Sequence, residues 1–340
     1  MNAARIHRFG DEDVFRYEAV PDPVPAPGEA LVRVRAIGIN HVELDVRAGI
    51  SRMPLELPAI LGLECAGEVV SVPVGSPVGP GARVAVSYTV PCWACEYCQT
   101  GRDNICLHRD LLGVTRPGSY AELVTVPARA LLPLADTVSF TAAAAAQIAF
   151  STAWHVLMNR AGLRAGQTVL INAAGSGIGS AALQVARFAG ARIITTASSE
   201  EKLDRARSQA DHVVNYTRAG WWREVLELTS GSGVDVVMSH VGGDEFAGSF
   251  EAVKSDGAIV VVGGHAEETV PLDLIRLFRR QVRIIGSSRA TQAELATVMG
   301  LLGRGVFRPV IHAEHPLRDI GAAHRTLASR SVFGKIVVLP

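Results

Sequence analysis

The stretch Val169-Leu-Ile-Asn-Ala-Ala-Gly-Ser-Gly-Ile-Gly179 decides how the middle of this 340-residue chain folds. It opens with Val169–Ala173, an apolar run as long as a buried strand, and Ser180–Ala189 follows with helical spacing. The small residues between them let the backbone approach a phosphate group, and the N-terminus of a helix supplies amide donors and positive potential. The final glycine, Gly179, allows the strand and the helix to pack closely. This stretch predicts a dinucleotide-binding turn; the alternative is a tight turn in an α/β protein without a cofactor.

Strands and helices alternate after this turn. The predicted strands are Arg192–Ala197, Val213–Val214, Val234–Met238, Ile259–Gly263 and Ile284–Ser287, and the predicted helices are Glu200–Gln209, Trp221–Thr229 and Gly248–Val253. This βαβα order predicts a doubly wound parallel sheet, a Rossmann domain, over residues 139–288. Ala174 and Ser176 replace the first two glycines of the G-x-G-x-x-G pattern, so the prediction depends on the position of the turn among βαβ units.

The end of the second predicted strand of this domain distinguishes between the two nicotinamide cofactors. An NAD site has an Asp or Glu about 20 residues after the turn, which binds the ribose 2′-hydroxyl. Here Ala197-Ser-Ser199 occupies that place, so no acid repels a 2′-phosphate. Ser198 can donate a hydrogen bond, and Lys202 lies one helical turn further on. Glu200 and Glu201 count against NADP(H), and Ser198 alternatively caps the next helix, but the balance favours NADP(H).

The remainder of the chain is β-rich. The predicted strands in residues 1–138 are short and separated by Gly/Pro-rich turns, as in a compact barrel or sandwich: Ala30–Ile37, Glu68–Val72, Arg83–Val86 and Tyr120–Val126. Residues 289–340 contain a predicted helix over Ala293–Gly303 and a predicted strand over Lys335–Leu339. We expect this last segment to return to the first domain.

Four of the five cysteines follow the pattern Cys92-x2-Cys95-x2-Cys98-x7-Cys106. Four thiolates bind one Zn²⁺ tetrahedrally and leave no open position for water or substrate, so the predicted zinc is structural, one per chain, in a lobe at about residues 88–112. The alternatives are free surface thiols and an iron–sulfur site. Cys65 lies apart and is expected to be a small buried side chain.

Composition excludes some classes of partner. The formal net charge is zero and 19% of the residues are charged, so we expect no nucleic acid and no anionic membrane surface as partners. The apolar runs are too short to span a membrane, and the N-terminus has no secretory apolar region. These features predict a cytoplasmic protein.

Together these motifs resemble the medium-chain dehydrogenase/reductase superfamily over essentially the whole chain. The four-cysteine lobe is similar to the structural zinc loop of the zinc alcohol dehydrogenases. Other segments similar to members of the superfamily are Val34–Gly49, Leu57–Glu68, Gly118–Val126, Asn215-Tyr216 and Phe333–Val338. The resemblance implies a GroES-like, β-rich catalytic domain made from both ends of the chain, with the Rossmann domain inserted between them.

The catalytic zinc of the alcohol dehydrogenases is expected to be lost. Its site needs a Cys, a His and a further Cys or acid, with a Ser or Thr as proton relay. The corresponding positions hold Asn40 (Cys), Val42 (relay), Leu63 (His) and the Cys-free segment Gln147–Thr152. Asn and Leu cannot replace thiolate and imidazole around Zn²⁺. Glu64 alone cannot hold the metal, and we expect it to pair with Arg47.

The pattern Asn40-x4-Asp45-x-Arg47-x-Gly49 resembles the quinone oxidoreductase and enoyl reductase branches, in which NADPH reduces a quinone or an electron-poor alkene without a metal. By resemblance, Asn40 lies near the nicotinamide and donates to a substrate carbonyl. The candidates for the proton donor are His41, Tyr88, Tyr120 and water. His41 is alternatively a buried, hydrogen-bonded residue, and Tyr120 a packing residue.

The implied cofactor contacts extend along the Rossmann domain. They are Asn40, Thr152, Ser176, Gly177, Ile178, Ser198, Lys202, Tyr216, Gly263, Gly264, His265, Ser287 and Ser288. The chain departs from its relatives at Ser239, where they commonly have an Asp, and we expect this departure to alter the cofactor pocket.

The resulting hypothesis is an NADPH-dependent reductase of quinones or α,β-unsaturated carbonyl compounds, acting on a small hydrophobic substrate. The resemblance also implies a homodimer formed through the strand near Val282–Ser288, or a tetramer. Two functional alternatives stay open at this point. One is a zinc alcohol dehydrogenase with unusual ligands, and the other is a cyclase, isomerase or non-catalytic binder in which NADP(H) is partly structural.

Overall fold

The computed structural model describes residues 1–264 and 267–340, which form two compact units. The first unit consists of Met1–Ile148 and Thr291–Pro340, and the second of Ala149–Ala290. The first boundary lies later than residue 138 because the helix there packs against the first unit. Gln147 Nε2 donates to the carbonyl of Cys65 at 2.7 Å, and the Arg83 guanidinium lies 4.6 Å from the ring centroid of Phe140.

Short strands dominate residues 1–148. They are β1 (Asn2–Ile6), β2 (Phe15–Ala19), β3 (Glu29–Gly38), β4 (Ala59–Ile60), β5 (Glu64–Ser71), β6 (Arg83–Val86), β7 (Thr89–Val90), β8 (Asp110–Leu111), β9 (Leu123–Pro127) and β10 (Leu131–Pro133). The helices are α1 (His41–Ala48), α2 (Glu96–Gln99) and α3 (Phe140–Trp154), and α3 continues as a π-helical stretch, His155–Arg160.

Strands and helices alternate in the second unit. The strands are β11 (Thr168–Ile171), β12 (Arg192–Ala197), β13 (His212–Asn215), β14 (Val234–Ser239), β15 (Val253–Val261) and β16 (Arg283–Gly286). The helices are α4 (Gly177–Phe188), α5 (Glu200–Arg207), α6 (Trp222–Leu228), α7 (Gly243–Ala252) and α8 (Leu274–Arg280). The C-terminal segment contains α9 (Gln292–Gly303), β17 (Ile311–Pro316), α10 (Ile320–Ala328) and β18 (Lys335–Leu339).

The first unit is built on a seven-stranded sheet with the order β10-β6-β5-β3-β18-β17, in which β9 also pairs with β3. Its long strand β3 alternates as predicted: Val32 and Val34 are buried, whereas Arg33 and Arg35 are exposed. The C-terminal strand β18 pairs antiparallel with β3, with Val338 opposite Ile37. Both ends of the chain therefore form one β-rich domain, as the resemblance implied.

The second unit is built on a six-stranded parallel sheet with the order β13-β12-β11-β14-β15-β16. This confirms the predicted doubly wound sheet. The strand order reverses between β11 and β14, and open α/β sheets bind ligands beyond the carboxyl ends of the strands at such a switch point. The dinucleotide turn follows β11 and therefore lies at this position. No helix among the described residues is long and apolar enough to cross a membrane.

Candidate cofactor, active and zinc sites

The turn after β11 has the local geometry of a phosphate-binding loop. Ser176 caps α4, and its Oγ accepts a hydrogen bond from the Gly179 N–H at 2.8 Å. Ala173 adopts a left-handed backbone conformation, with φ of 50°. A Cβ added to Gly179 would lie 2.2 Å from the carbonyl oxygen of Ala173. Only glycine fits there, which confirms the close packing predicted from the sequence.

His240 is part of this turn, and sequence reasoning missed it as a site residue. It follows β14, is 6% exposed, and places Nε2 2.9 Å from Ser176 Oγ. The neighbouring Ser239, at the departure from the expected Asp, has a buried Oγ without a hydrogen-bond partner among the described residues. The switch point therefore carries a histidine–serine contact that the glycine pattern does not reveal.

Buried polar side chains form hydrogen bonds around the start of this turn. Thr196 Oγ1 accepts from the Ala173 N–H at 3.0 Å and donates to Glu245 Oε1 at 2.9 Å. Burial raises the pKa of Glu245 to about 7, against the opposing hydrogen bond from Thr196. Asn172 Nδ2 donates to Ser249 Oγ at 2.9 Å. These hydrogen bonds hold the strained residue Ala173 in place.

The predicted 2′-phosphate residues lie at the carboxyl ends of β12 and β13. Ser199, not Ser198, caps α5, because its Oγ accepts from the Lys202 N–H at 3.4 Å. The alternative role of Ser198 as the cap was therefore incorrect, and its side chain is exposed. Lys202 is half-buried and its pKa is lowered by burial, with Glu201 opposing. Tyr216 follows β13 and packs at the edge of the apolar core.

The other predicted cofactor residues lie on several elements of the second unit. Gly263 and Gly264 follow β15, Ser287 and Ser288 follow β16, and the Ser287 N–H donates to the carbonyl of Val261 at 2.9 Å. Thr152 lies on α3 and is 6% exposed. His265 lies outside the described residues.

In the first unit, Glu43 connects two of the positions that would hold a catalytic zinc. Its Oε2 accepts from the Asn40 N–H at 2.6 Å, and its Oε1 accepts from the Leu63 N–H at 2.8 Å. Burial raises the pKa of Glu43 to about 7 despite these two hydrogen bonds. The carboxyl group thus ties the start of α1 to the turn before β5.

A buried ion pair occupies the same region. Lys335 Nζ lies 2.5 Å from Glu64 Oε1, 2.7 Å from Asn40 Oδ1 and 2.8 Å from the carbonyl of Ile39. Asn40 Nδ2 donates to Glu64 Oε1 at 3.0 Å, and the Ile148 N–H donates to Glu64 Oε2 at 2.7 Å. The carboxylate is therefore satisfied by an ammonium and two neutral donors.

The expected pairing of Glu64 with Arg47 is wrong. Arg47 contacts His324 instead, with Nη1 3.2 Å from His324 Nδ1, and the other ring nitrogen of His324 contacts Tyr120. Glu64 pairs instead with Lys335, a residue that sequence reasoning did not select. The positive charge beside Glu64 comes from β18, 271 residues away in the chain.

The remaining lost-ligand positions are apolar. Leu63 is 5% exposed and packs in a small cluster with Tyr88, Leu111 and Val114, and Val42 contacts the same cluster. A His and a hydroxyl would stand at positions 63 and 42 in a zinc alcohol dehydrogenase. Here these side chains contribute packing and cannot bind a metal.

Two of the three side chains predicted as proton donors, Tyr120 and His41, have different surroundings. Tyr120 is completely buried, and its hydroxyl lies 2.9 Å from His324 Nε2. Burial, followed by the charge of Arg47, lowers the pKa of His324 to about 3, so this histidine is neutral. These contacts favour the packing interpretation of Tyr120. His41 is exposed at the first position of α1, so it is not the buried residue that the alternative required.

The four cysteines of the predicted lobe converge. Their Sγ atoms lie within 4.8 Å of one another, with separations of 3.6 Å for Cys95–Cys98, 3.8 Å for Cys95–Cys106 and 3.9 Å for Cys92–Cys98. Tetrahedral Zn–S bonds of about 2.3 Å require sulfur atoms about 3.8 Å apart, so the donor set fits zinc. Within residues 1–264 and 267–340, this is the only group of three or more His, Cys, Asp or Glu that could hold a metal.

Comparison with known proteins gives matches over the whole chain. The profile of the alcohol dehydrogenase GroES-like domain matches residues 26–136, and that of the zinc-binding dehydrogenase matches residues 177–304. A quinone oxidoreductase of Pseudomonas aeruginosa is 32% identical, with 98% of this chain and 97% of that protein covered. An acryloyl-coenzyme A reductase of Metallosphaera sedula is 28% identical, with 97% of each covered.

Solved structures give the same fold. The crystal structure of an NAD-dependent alcohol dehydrogenase superposes with a TM-score of 0.95 at 38% identity, with 100% of both chains covered. The names of these relatives differ in substrate, and only the name of the alcohol dehydrogenase states a nicotinamide cofactor, NAD. The comparisons therefore support an oxidoreductase. Its cofactor and its substrate have to be inferred from the residues of this chain.

Proposed function

Because the chain belongs to the medium-chain dehydrogenase/reductase superfamily, we propose that it is an NADPH-dependent reductase of quinones or α,β-unsaturated carbonyl compounds that uses no catalytic metal. The observation that carries the proposal is the cluster of Lys335, Glu64 and Asn40. The Lys335 ammonium lies beside Glu64, the one acid left among the positions that bind the catalytic zinc. An alcohol dehydrogenase would need a metal and further ligands there. The names of the quinone oxidoreductase and acryloyl-coenzyme A reductase relatives agree with this reading.

NADPH, when bound, supplies the hydride. The Asn40 amide has two N–H groups: one donates to Glu64 at 3.0 Å, and the other contact, to Glu43 Oε2, is long at 3.4 Å. Because Lys335 holds Asn40 Oδ1, the amide cannot present its oxygen instead. Asn40 thus offers an N–H to a substrate carbonyl, and the proton comes from the exposed His41 or from water.

Selection of NADPH over NADH rests on the carboxyl ends of β12 and β13. Ser198 is exposed and has no capping role, Lys202 supplies a cation, and no acid stands at the position that binds a 2′-hydroxyl. The structural cofactor is one zinc ion on Cys92, Cys95, Cys98 and Cys106. It stabilises the lobe and takes no part in the reaction.

The test is the loss of NADPH absorbance with a panel of quinones and enones, repeated with NADH. We expect turnover with NADPH and a lower KM for NADPH than for NADH. No turnover with any member of the panel would contradict the proposal, and a lower KM for NADH would contradict the cofactor assignment. Bound NADP(H) that is never consumed while a substrate rearranges would favour a cyclase or isomerase.

A zinc alcohol dehydrogenase is the second candidate, because an NAD-dependent alcohol dehydrogenase shares 38% identity with this chain. Asn40, Val42 and Leu63 oppose it, since none provides a thiolate, a relay hydroxyl or an imidazole. Oxidation of alcohols with release of NADH or NADPH, abolished by chelators, would establish this alternative.

We also propose a homodimer formed through the edge strand β16. Its Ile284 is 38% exposed, and α8 exposes Leu274 at 65% and Phe278 at 61%. Apolar surface beside an unpaired strand edge is typical of an interface. Light scattering is expected to give twice the chain mass for the wild-type protein and the monomer mass for Ile284→Lys, whereas a wild-type monomer would contradict the assignment. Twice the dimer mass would indicate a tetramer.

A further inference from the structure

His240 and Ser176 face each other across the topological switch point. Ser176 follows β11 and caps α4, whereas His240 follows β14, the neighbour of β11 in the sheet. Their side chains are in hydrogen-bond contact, with Nε2 2.9 Å from Oγ. His240 is buried, and Ser176 is half-buried at the start of the helix. The histidine is therefore more shielded from bulk solvent than the serine.

The hydrogen-bond capacity of the serine hydroxyl decides what this contact does. A hydroxyl has one proton and two lone pairs. One lone pair of Ser176 Oγ accepts from the Gly179 N–H at 2.8 Å. If Nε2 of His240 carries a proton, it occupies the other lone pair, and the serine proton is left for a third partner. If Nε2 is unprotonated, the serine proton is consumed by the histidine.

We propose that His240 donates from Nε2–H to Ser176 Oγ and so directs the Ser176 hydroxyl proton to the pyrophosphate of the bound nicotinamide dinucleotide. His240 is a positioning residue in this arrangement, since it acts through Ser176. The inference rests on the proposed function, because it requires that the turn after β11 binds such a cofactor. It adds a side-chain donor to the amides that the helix N-terminus supplies.

The chemistry of the turn explains why an extra donor is useful here. Ser176 stands where the G-x-G-x-x-G pattern has its second glycine, and glycine leaves only backbone N–H groups for the phosphates. A serine whose hydroxyl proton pointed back to His240 would contribute bulk without donating a hydrogen bond to the phosphates. The contact with His240 turns this substitution into a contribution to binding.

The experiment measures dissociation constants by calorimetric titration of the full chain with NADP⁺. The variants His240→Gln and His240→Met are similar in size, but only glutamine keeps an N–H donor. They are compared with Ser176→Ala and with the double variant Ser176→Ala/His240→Met. Adenosine 2′-monophosphate, which lacks the pyrophosphate, is the control ligand, and His212→Met on β13 is the control variant. Circular dichroism verifies the fold of each.

We expect His240→Met and Ser176→Ala each to weaken NADP⁺ binding about tenfold, and the double variant to bind no more weakly than Ser176→Ala. His240→Gln is expected to remain within about threefold of wild type, and binding of adenosine 2′-monophosphate to stay unchanged in all variants. Equal affinities of His240→Gln and His240→Met would overturn the inference, as would losses that multiply in the double variant. If the wild-type protein bound neither NADP⁺ nor NAD⁺, the proposed function itself would fail as well.

Discussion

At the scale of single residues, the buried charges of the first unit are the most consequential. Glu64 is completely buried and Lys335 is 5% exposed, so each depends on the other for compensation. A buried charge that loses its partner costs far more than a surface ion pair contributes. The Lys335 ammonium thus supplies the positive charge that a catalytic metal would have supplied in this region.

Replacing Lys335 with Met is expected to lower the free energy of unfolding by about 3–5 kcal/mol, because it leaves the Glu64 carboxylate uncompensated. The double variant Lys335→Met/Glu64→Gln removes both charges and is expected to recover most of that loss. Urea unfolding of the single and double variants measures both effects. A double variant as unstable as Lys335→Met would show that the charge of Glu64 is not the cause.

Glu245 is expected to make stability depend on pH. Burial raises its pKa to about 7 from the usual 4.5. Below pH 4.5 the carboxyl group holds its proton in both the folded and the unfolded state, so its burial does not lower the free energy of unfolding. Between the two values only the folded state keeps it, and stability falls as pH rises, reaching a constant penalty above the folded pKa.

Glu245→Gln removes this dependence, since a neutral amide can still accept from Thr196. We expect the difference in the free energy of unfolding between the variant and the wild type to increase in favour of the variant as the pH rises. The increase from about pH 5 to pH 8 is on the order of 2 kcal/mol. Chemical denaturation at both pH values measures the gain. Glu227→Gln, at an exposed position on α6, is the control and should show no such change; an equal gain for Glu245→Gln at both pH values would contradict the assignment.

The candidate site could be predicted from sequence only where local motifs carry it. Asn40 and Leu63 were found by position, and the four cysteines by spacing. The pairing of Lys335 with Glu64 joins residues 271 positions apart, and that of His240 with Ser176 joins residues 64 apart. Such contacts depend on strand order, which a motif does not specify.

At the scale of elements, prediction succeeded where burial follows a simple period. Strands β6 and β12 have the predicted bounds. Helix α1 was not predicted, because two of its charged residues, Glu43 and Arg47, are buried and break the amphipathic pattern. Strand β15 begins at Val253 and includes the polar segment Lys254–Gly257, whereas the predicted strand began at Ile259; the register with β14 is irregular in this part of the strand.

Helix α4 provides an element-scale prediction. In Gly179→Ala the new methyl group would lie 2.2 Å from the carbonyl oxygen of Ala173, so α4 must move away from the turn. We expect a loss of about 1–3 kcal/mol in the free energy of unfolding and weaker NADP⁺ binding. Gly300→Ala is the matched control, because it is also helical and has nothing within 4 Å of the added Cβ; it is expected to be neutral or stabilising by up to about 1 kcal/mol. Equal effects of the two substitutions would refute the steric argument.

At the scale of the whole molecule, the resemblance of the sequence to a superfamily predicted both kinds of domain, because the order of motifs along the chain follows the order of its folding units. It did not determine the metal chemistry, since relatives of the same fold carry the names of different enzymes. Function on a shared fold is decided by site residues. The number of zinc ions per chain is therefore the property that separates the two candidate functions.

We expect metal analysis of the purified protein to give one zinc per chain, held by Cys92, Cys95, Cys98 and Cys106. Cys95→Ser removes one of four thiolates and is expected to bring the zinc content close to zero, because the described residues offer no second ligand group of that size. The loss should destabilise the lobe at about residues 88–112 and expose it to proteases, while NADP⁺ binding persists. Cys65→Ser, which changes a buried cysteine outside the cluster, is the control and should retain the zinc. Two zinc ions in the wild-type chain, with one remaining in Cys95→Ser, would instead show that a catalytic metal is present and would favour alcohol oxidation.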